Sequence, residues 1–405
     1  MKTSHIRRNI VLYKLFILFS EPLFWGPILI ISIQQLAHMT LPDIYFMEAT
    51  VMVLCVILNI PAGALADIIG RKKTLIIAMV FHIASRVFFI TMTSPLDAWI
   101  GNILWAFGYS LQNGADVALL YSNLNARGLQ KKFSRIEGCA VGGRMLLIAF
   151  CSLAVGPMAS INMRLPLYCC LPFLFIPLIV SFYMKEPVVT KKFSIGEQLR
   201  TMKDGTLYAI RKPEIRWIIG FCALLVGASK IWFFTYNPYF VIVGIDLRYY
   251  GVIFFLLNIV AWASSHWAHR IQSRLNERSC IVGMIVCVGL PILIMGVFPL
   301  AAMAYLVTSQ NMVRGFMRPF TEGFMNHHIN SEKIRATVLS VRSSLSDMVT
   351  VISLFCFGMM DKRLGLLNSL IILGITVLIL GMTSYRRYCK LFPQSRIQSL
   401  IREAL

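Results

Sequence analysis

The sequence predicts an all-α membrane protein, and three observations support this fold class. Of its 405 residues, 57% are apolar and only 14% are charged, whereas a soluble domain is about half apolar and a quarter charged. The mean hydropathy is +0.70. The apolar residues also fall into long segments, and an α-helix needs about 20 of them to cross a bilayer. This composition excludes a disordered chain, a coiled coil, a collagen and an ordinary cytosolic enzyme.

Twelve apolar segments follow one another along the chain, and each predicts a membrane helix. Segment 1 begins just after Arg7 and Arg8 and continues to about Ala37. This run is too long for the apolar core of a signal peptide, and no clear cleavage site follows it, so we interpret it as the first membrane helix. Segments 1 to 12 are residues 10–36, 44–66, 74–94, 98–120, 138–160, 165–184, 216–242, 248–267, 280–297, 299–320, 336–360 and 365–385, in that order.

The longest polar break between segments lies near the middle of the chain, after segment 6, and is rich in lysine. It divides the twelve segments into two sets of six. We therefore predict an N-terminal bundle of six helices over residues 1–184, a cytoplasmic linker over 185–215, and a C-terminal bundle of six helices with a short basic tail over 216–405.

The formal net charge of +21 at pH 7 suggests nucleic-acid binding, but the basic residues fall in short clusters between apolar segments. If the N-terminus is cytoplasmic, 28 of the 39 lysine and arginine residues lie on the cytoplasmic side. The loops outside then hold only Arg164, Arg248, Lys362 and Arg363. Cytoplasmic loops of membrane proteins carry an excess of Lys and Arg. The pattern therefore predicts twelve spans, both termini in the cytoplasm, and no nucleic-acid partner.

The ten cysteines lie mostly inside apolar segments, and none has zinc-ligand spacing with histidines nearby. We interpret them as small hydrophobic side chains and predict no metal site and no cofactor. The chain also lacks a His-Glu-x-x-His motif and a glycine-rich nucleotide-binding loop with its lysine. These absences argue against a membrane-embedded enzyme, which is the remotest alternative, and against an ATP-driven pump.

A glycine-containing basic loop joins segments 2 and 3. Residues 63–73 read Gly-Ala-Leu-Ala-Asp-Ile-Ile-Gly-Arg-Lys-Lys. This loop resembles the signature loop of the major facilitator superfamily, Gly-x-Leu-Ala-Asp-Arg-x-Gly-Arg-Lys, with Ile68 where an arginine is usual. In that family the aspartate lies against the positive N-terminal end of helix 11 and closes the cytoplasmic side. The residues that the resemblance implies for this cytoplasmic gate motif are Gly63, Asp67, Gly70 and Arg71.

The resemblance also implies the fold and the mechanism. Members of the superfamily have two pseudo-symmetric bundles of six helices, with helices 1, 4, 7 and 10 around a central cavity, and they work by alternating access. The chain partly resembles bacterial drug–proton antiporters, since segment 5 contains Gly156-Pro157 but not their full glycine-rich run. In segment 4, Ser110 stands where many of them carry an arginine tied to proton coupling. We expect Arg144 of segment 5 to be able to take its place.

Ionisable side chains inside membrane segments are costly and usually face a cavity or a partner. Three acids at such positions, Glu21, Asp116 and Asp347, are our proton-coupling candidates. Glu21 is the first choice, since at about 1.5 Å per residue it lies about 16 Å into segment 1, near the midplane. The alternative for Glu21 is a structural ion pair with a neighbour such as Arg144.

A second set of residues is predicted to line the substrate cavity. Lys230 and Arg314 are expected to bind an anionic group, and the aromatic members are expected to give a broad apolar surface. The alternative for Lys230 and Arg314 is a pair with Asp347 or another buried acid, and that for the aromatic members is ordinary packing or an interfacial belt. Arg86 in segment 3, with His82 one turn before it, is interpreted as structural. The cavity candidates are Trp25, Tyr109, Asn113, Arg144, Lys230, Trp232, Tyr236 and Arg314.

These observations favour a proton-coupled exporter of an amphipathic drug, an antibiotic or a small peptide-like toxin. The prediction rests on the signature loop, on Gly156-Pro157 and on the acid in segment 1. The alternative is a proton-driven importer of a nutrient or siderophore, because one fold serves both directions. Sugar importers usually carry more polar cavity helices than these. The predicted partners are the substrate, protons and the lipid bilayer, and we expect a functional monomer in a bacterial cytoplasmic (inner) membrane.

Overall fold

The computed structural model describes residues 3–186, 207–208, 211–328 and 332–393. Within these ranges the chain forms fifteen α-helices, joined by turns and short 3-10 segments, and no β-strand. The prediction of an all-α protein is therefore confirmed for the described part of the chain. Most of the predicted linker, residues 185–215, lies outside it.

The helices of the first half are α1 (Thr3–Phe19), α2 (Leu29–Leu36), α3 (Leu41–Ile69), α4 (Arg71–Thr91), α5 (Pro95–Gln112), α6 (Ala115–Asn125), α7 (Phe133–Ile161) and α8 (Leu165–Tyr183). Those of the second half are α9 (Pro213–Ile242), α10 (Tyr250–His266), α11 (Ala268–Arg274), α12 (Glu277–Val297), α13 (Val307–His328), α14 (Glu332–Leu364) and α15 (Leu366–Leu391).

Two predicted segments are each divided into two helices. Segment 1 is interrupted between α1 and α2, where Pro22 and Pro27 lack the N–H that a continuous helix would use. Segment 4 is interrupted between α5 and α6, where Gly114 has φ +88°, a conformation that glycine adopts without steric cost. A short extra helix, α11, follows segment 8. The fifteen helices of the described ranges therefore do not confirm the predicted count of twelve membrane helices, which stays a prediction.

Nine helices of the described ranges are long and apolar enough to cross a membrane, judged by length and composition. They are α3, α4, α7, α8, α9, α10, α12, α14 and α15. The divided segments 1 and 4 and the more polar α13 are not among them. Twelve spans with cytoplasmic termini therefore stay a prediction.

The start of α5 is fixed by a capping box. The Asp97 backbone N–H donates to the Ser94 hydroxyl, and the Ser94 backbone N–H donates to the Asp97 carboxylate at 3.0 Å. Such a box satisfies donors that the first helical turn leaves free. Hydrogen bonds from the Thr93 backbone N–H and from Ser94 hold the pKa of Asp97 below its usual range. The carboxylate is therefore the stable form at the head of this helix.

The described chain divides into two compact units. The first contains the described residues of Met1–Ile195 together with Asn237–Trp262, and the second those of Gly196–Tyr236 together with Ala263–Leu405. This division differs from the predicted boundaries, because the end of α9 and nearly all of α10 belong to the first unit. The prediction of two six-helix bundles stays a prediction.

In the first unit, α7 and α10 approach each other through small residues. The Ser152 hydroxyl donates to the Gly251 carbonyl at 3.1 Å. A Cβ added at Gly251 would collide with the Ser152 carbonyl oxygen, and one added at Gly156 would collide with the Arg248 carbonyl oxygen. The two backbones lie this close because these positions carry no side chain. This contact explains why α10 belongs to the first unit.

In the second unit, α12 and α15 pack through glycines on both helices. A Cβ at Gly289 or Gly296 would come within 2.9 Å of a facing side chain on α15. A Cβ at Gly374 would come 2.7 Å from the Leu293 backbone nitrogen, and one at Gly381 would come 2.6 Å from the Ile285 side chain. On each helix the two glycines of this contact lie seven residues apart, which places them on one face.

Candidate functional site

The interruption between α1 and α2 carries Glu21. Its carboxylate Oε1 lies 2.9 Å from the Arg144 guanidinium NH1 on α7. The Glu21 side chain is 51% exposed and that of Arg144 is 20% exposed, so the pair lies at the edge of the unit rather than in its packed core. The ion pair considered as the alternative for Glu21 is thus present. Addition of a proton to Glu21 would remove the charge that holds Arg144.

A second acid lies near the same arginine. Asp116 is buried in the first turn of α6 and accepts a hydrogen bond from the Val117 backbone N–H at 2.6 Å. It lies within electrostatic reach of Arg144 and of Glu137, both on α7, and its carboxylate is bonded by the Gln112 side chain. The structure therefore brings two of the three proton-coupling candidates to one basic side chain.

The gate motif forms a network at the junction of α3 and α4. An Arg71 guanidinium nitrogen lies 3.7 Å from the Asp67 carboxylate, and NH1 of Arg71 donates to the Ala118 carbonyl at 2.9 Å. The backbone N–H groups of Arg71 and Lys72 donate to the Glu186 carboxylate at 2.8 and 3.1 Å. An acid at a helix N-terminus is stabilised there by the free N–H groups and the helix dipole. Glu186 therefore holds the start of α4.

The two glycines of the motif differ in whether the structure requires a glycine there. Gly70 has φ +96°, and a Cβ there would lie 2.9 Å from a Glu186 carboxylate oxygen, so the turn requires a glycine. A Cβ at Gly63 would meet nothing within 4 Å. The side chains at the start of segment 11 lie outside the described residues, so the contact of Asp67 with that segment stays a prediction.

The cavity candidates of the first unit differ in burial. Tyr109 and Asn113 are exposed on α5 and at its end. Trp25 is buried: its indole N–H donates to the Ser32 hydroxyl at 3.1 Å, and its ring centroid lies 4.5 Å from that of Phe89. Trp25 is thus a packed residue of the first unit beside the interruption of segment 1.

The cavity candidates of the second unit also differ in burial. Trp232 and Tyr236 are buried on α9, whereas Arg314 is exposed on α13. Lys230 lies within electrostatic reach of Asp347 on α14, and its ammonium lies 5.3 Å from the centroid of the Phe234 ring. Lys230 and Asp347 therefore interact electrostatically, as the alternative for Lys230 requires.

A row of polar contacts between α3 and α5 was not predicted. The Asn102 amide donates to the Glu48 carboxylate at 2.9 Å, in the first half of both helices. The Asn113 amide donates to the Asn59 side-chain carbonyl at 3.5 Å, nearer the end of both. Glu48 lies inside an apolar segment, so the criterion that selected Glu21 would also have selected it. Glu186 could have been suspected as an acid that lies just after segment 6 at the start of a basic stretch.

The described residues contain no group of three or more His, Cys, Asp or Glu side chains that could hold a metal ion. All ten cysteines are free thiols. The polar groups brought together in the first unit are therefore carboxylates, arginine, amides and hydroxyls. Such groups bind and release protons and small organic molecules.

Comparisons with known proteins identify the family and the fold of the chain. The family model of the Major Facilitator Superfamily matches residues 15–353. A solved structure of a mutant of the nucleoside transporter NupG has a TM-score of 0.78 at 14% identity and covers 94% of this chain and 100% of its own. A bacterial homolog of the human lysosomal transporter Spinster has a TM-score of 0.71 at 12% identity and covers 96% and 98%.

A third solved structure, that of a D-xylose-proton symporter, has a TM-score of 0.70 at 14% identity and covers 94% of this chain and 97% of its own. Identities this low establish the fold alone. The chain matches no curated protein sequence. The match of the family model over most of the chain shows that it belongs to the major facilitator superfamily, as a multi-pass membrane transporter and not an enzyme.

Proposed function

We propose that the chain is a proton-coupled transporter that exports a small amphipathic compound (a drug, an antibiotic or a peptide-like toxin) by alternating access. The observation that carries this proposal is the ion pair between Glu21 and Arg144 at the interruption of segment 1. An interrupted membrane helix frees backbone groups at a site where a substrate or coupling ion can bind.

The ion pair links protonation of Glu21 to a conformational change. A carboxylate and a guanidinium 2.9 Å apart attract each other, and removal of the negative charge removes that attraction. Protonation of Glu21 therefore releases Arg144 and changes the relative free energies of the two states of the transporter. Substrate and proton must then influence each other's binding by the same factor.

Two further contacts support alternating access. The network of Asp67, Arg71 and Glu186 joins α3, α4 and the end of segment 6 on the side proposed as cytoplasmic. The close approach of α7 and α10 at Ser152 and Gly251 lies near the other end of α7. Alternating access needs a contact at each end that can open in turn.

Proton-driven import is the second candidate, because a similar solved structure is named as a D-xylose-proton symporter. Exposed amide and hydroxyl groups at Asn113 and Tyr109 would suit a polar solute better than a purely lipophilic one. In either direction we propose twelve spans, both termini in the cytoplasm of a bacterium, and a functional monomer in the inner membrane.

The test is energised uptake into inverted bacterial membrane vesicles, with a panel of lipophilic cations, antibiotics and peptide-like toxins. Export predicts accumulation that a protonophore abolishes. Glu21→Gln should reduce it to the level seen with the protonophore, because the neutral amide cannot release a proton. Asp43→Asn is the matched control, since Asp43 is an exposed carboxylate in the first turn of α3 and an asparagine oxygen can still accept from the Thr40 hydroxyl.

Full accumulation against a gradient by Glu21→Gln would refute the assignment of the proton to Glu21. Absence of accumulation over the whole panel, together with protonophore-sensitive uptake of a nutrient or siderophore by intact cells, would refute export and support the importer.

A further inference from the structure

We infer that the first unit carries a binding site for a planar, uncharged, hydrogen-bonding ring, formed by Trp105 and Tyr109 of α5 with Asn113 and Asn59. The inference rests on the proposed function, because it names the class of compound that the transporter takes. Tyr109 and Asn113 were cavity candidates from the sequence, whereas Trp105 in this role, Asn59 and the ligand class follow from the geometry.

Two aromatic rings form the flat part of the site. The centroids of Trp105 and Tyr109 lie 5.0 Å apart with an interplanar angle of 18°, so the rings are stacked. They are four residues apart on α5 and therefore lie on one side of the helix. Tyr109 is 42% exposed. A third flat ring can extend this stack, and base–aromatic stacking changes affinity by about five- to a hundredfold.

Two amides supply complementary hydrogen-bonding groups. The Asn113 side-chain N–H donates to the Asn59 side-chain carbonyl at 3.5 Å, the upper limit for such a bond. An asparagine side chain offers two N–H donors and a carbonyl acceptor, so this bond uses one donor of Asn113 and part of the acceptor of Asn59. The carbonyl of Asn113 and the amino group of Asn59 can therefore bind a ring edge that carries both a donor and an acceptor.

Open space lies next to these amides. The helix α5 ends at Gln112, one residue before Asn113, and a Cβ added at Gly114 would meet no atom within 4 Å. Asn113 is exposed although it lies in an apolar segment. Exposure of an amide to lipid is costly, so polar groups in membrane segments face cavities or partners. The space beside Asn113 is therefore expected to be aqueous.

The charge near the site favours a neutral ligand. Asp116 is the nearest acid along the chain, but it is buried and its carboxylate accepts from the Val117 N–H. Glu21 is neutralised by Arg144. A cationic ligand could use the faces of the rings, but its N–H donors would leave the amino group of Asn59 without an acceptor, whereas a neutral ring edge with a donor and an acceptor matches both amides. An anionic ligand would need a basic group. Sugars also stack on tryptophan through their C–H faces, so the test has to distinguish binding of a planar ring from binding of a sugar.

The experiment measures equilibrium binding to the purified full-length protein in lipid nanodiscs, without a pH gradient. Three probes are used. They are adenosine, purine riboside, which lacks the amino group on the edge of the purine, and ribose, which lacks the planar purine altogether. We expect adenosine to bind, purine riboside to bind about tenfold more weakly because one hydrogen bond is lost, and ribose not to bind measurably.

Four variants locate the site. Trp105→Leu should weaken adenosine binding by about fivefold or more because stacking is lost. Tyr109→Leu should weaken adenosine binding by a similar factor, because it removes the other ring of the stack. Asn113→Leu should remove the difference between adenosine and purine riboside. Trp99→Leu is the matched control, because Trp99 is on the same helix but packs edge-on against Phe46, with centroids 6.1 Å apart, and it should leave binding unchanged.

The inference is overturned if adenosine does not bind, if ribose binds as tightly as adenosine, or if Trp105→Leu has no more effect than Trp99→Leu. Unchanged melting temperatures show that each variant is folded, and Trp105→Phe replaces Trp105→Leu if the latter is not. Adenosine binding without proton-coupled transport of any compound would refute the proposed function alone. Protonophore-sensitive transport without adenosine binding would refute the ring site alone.

Discussion

At the scale of single residues, Arg86 presents an energetic cost within the first unit. It is 2% exposed, and its guanidinium lies 4.1 Å from the centroid of the Trp25 ring. Its Nε and NH1 groups have no hydrogen-bond partner among the described residues. A desolvated cation over an aromatic ring recovers about 2 kcal/mol, whereas burial of a charge costs several kcal/mol. The charge therefore destabilises the unit in which it lies.

We expect Arg86→Met to raise the free energy of unfolding by about 1 kcal/mol, because methionine fills a similar length of space without a charge to desolvate. The melting temperature of the purified protein should rise by about 2–4 °C. Arg86→Lys is the control and should give no rise, since it keeps the charge. A lower melting temperature for Arg86→Met than for Arg86→Lys would show that the charge stabilises the fold.

Some single residues of the candidate site could be predicted from the sequence, and others could not. Glu21 and Asp116 were found because each is an acid within an apolar segment, and Glu48 meets that criterion equally. The pairing of Glu21 with Arg144 joins residues far apart in the chain, so the sequence could only offer it as one of two alternatives. The role of Glu186 depends on the turn at Gly70, which brings the start of α4 to the end of segment 6.

At the scale of helices, hydropathy predicted the apolar segments but not their interruptions. Segment 1 is interrupted near Pro22 and Pro27, whereas α7 continues through Pro157 and α9 continues through Pro238. A proline removes one N–H in every case. Whether the helix continues depends on how neighbouring helices and local adjustments satisfy the freed carbonyl groups. That information is not local, so composition alone does not place the interruptions.

The packing of α12 on α15 leads to a prediction at the same scale. Gly374→Ala should lower the free energy of unfolding by about 1–3 kcal/mol, because its Cβ would lie 2.7 Å from the backbone nitrogen of Leu293, which no side-chain rotation can move. Thermal unfolding of the purified protein measures the change.

Gly283→Ala is the matched control for that substitution. Gly283 lies within α12, but a Cβ there would meet nothing within 4 Å. Alanine loses less conformational freedom than glycine in a helix, so this variant should be more stable by about 0.5–1 kcal/mol. Equal effects of Gly374→Ala and Gly283→Ala would contradict the close approach of the two helices. The glycine spacing of seven in both segments was readable from the sequence and indicates this kind of contact.

At the scale of the whole molecule, the boundary between the two units after Ile195 falls within the polar break over residues 185–215, but one later stretch of the chain departs from it. The first unit takes Asn237–Trp262 from the second half of the chain. The reason is the contact of α10 with α7, where Gly251 allows the backbone to approach Ser152. A contact between residues about a hundred positions apart leaves no trace in local composition, whereas a polar break does. The fold class was predictable from the sequence, whereas the membership of Asn237–Trp262 in the first unit depends on a contact that local composition does not reveal.

The number of spans determines on which side of the membrane the C-terminus lies. The nine helices of the described ranges that qualify by length and composition would place the two termini on opposite sides. Twelve spans, which add segments 1, 4 and 10, would place them on the same side. The twelve-span arrangement also puts 28 of the 39 basic residues on the cytoplasmic side, as expected for membrane proteins.

Fusions of green fluorescent protein and of alkaline phosphatase distinguish the two arrangements in a bacterial host, because the first is fluorescent only inside the cell and the second is active only outside. We expect fluorescence from fusions after Leu275 and at the C-terminus. We expect phosphatase activity from fusions after Gly244 and after Gly365. Phosphatase activity at the C-terminus would mean an odd number of spans, and the basic clusters would then need an explanation other than topology.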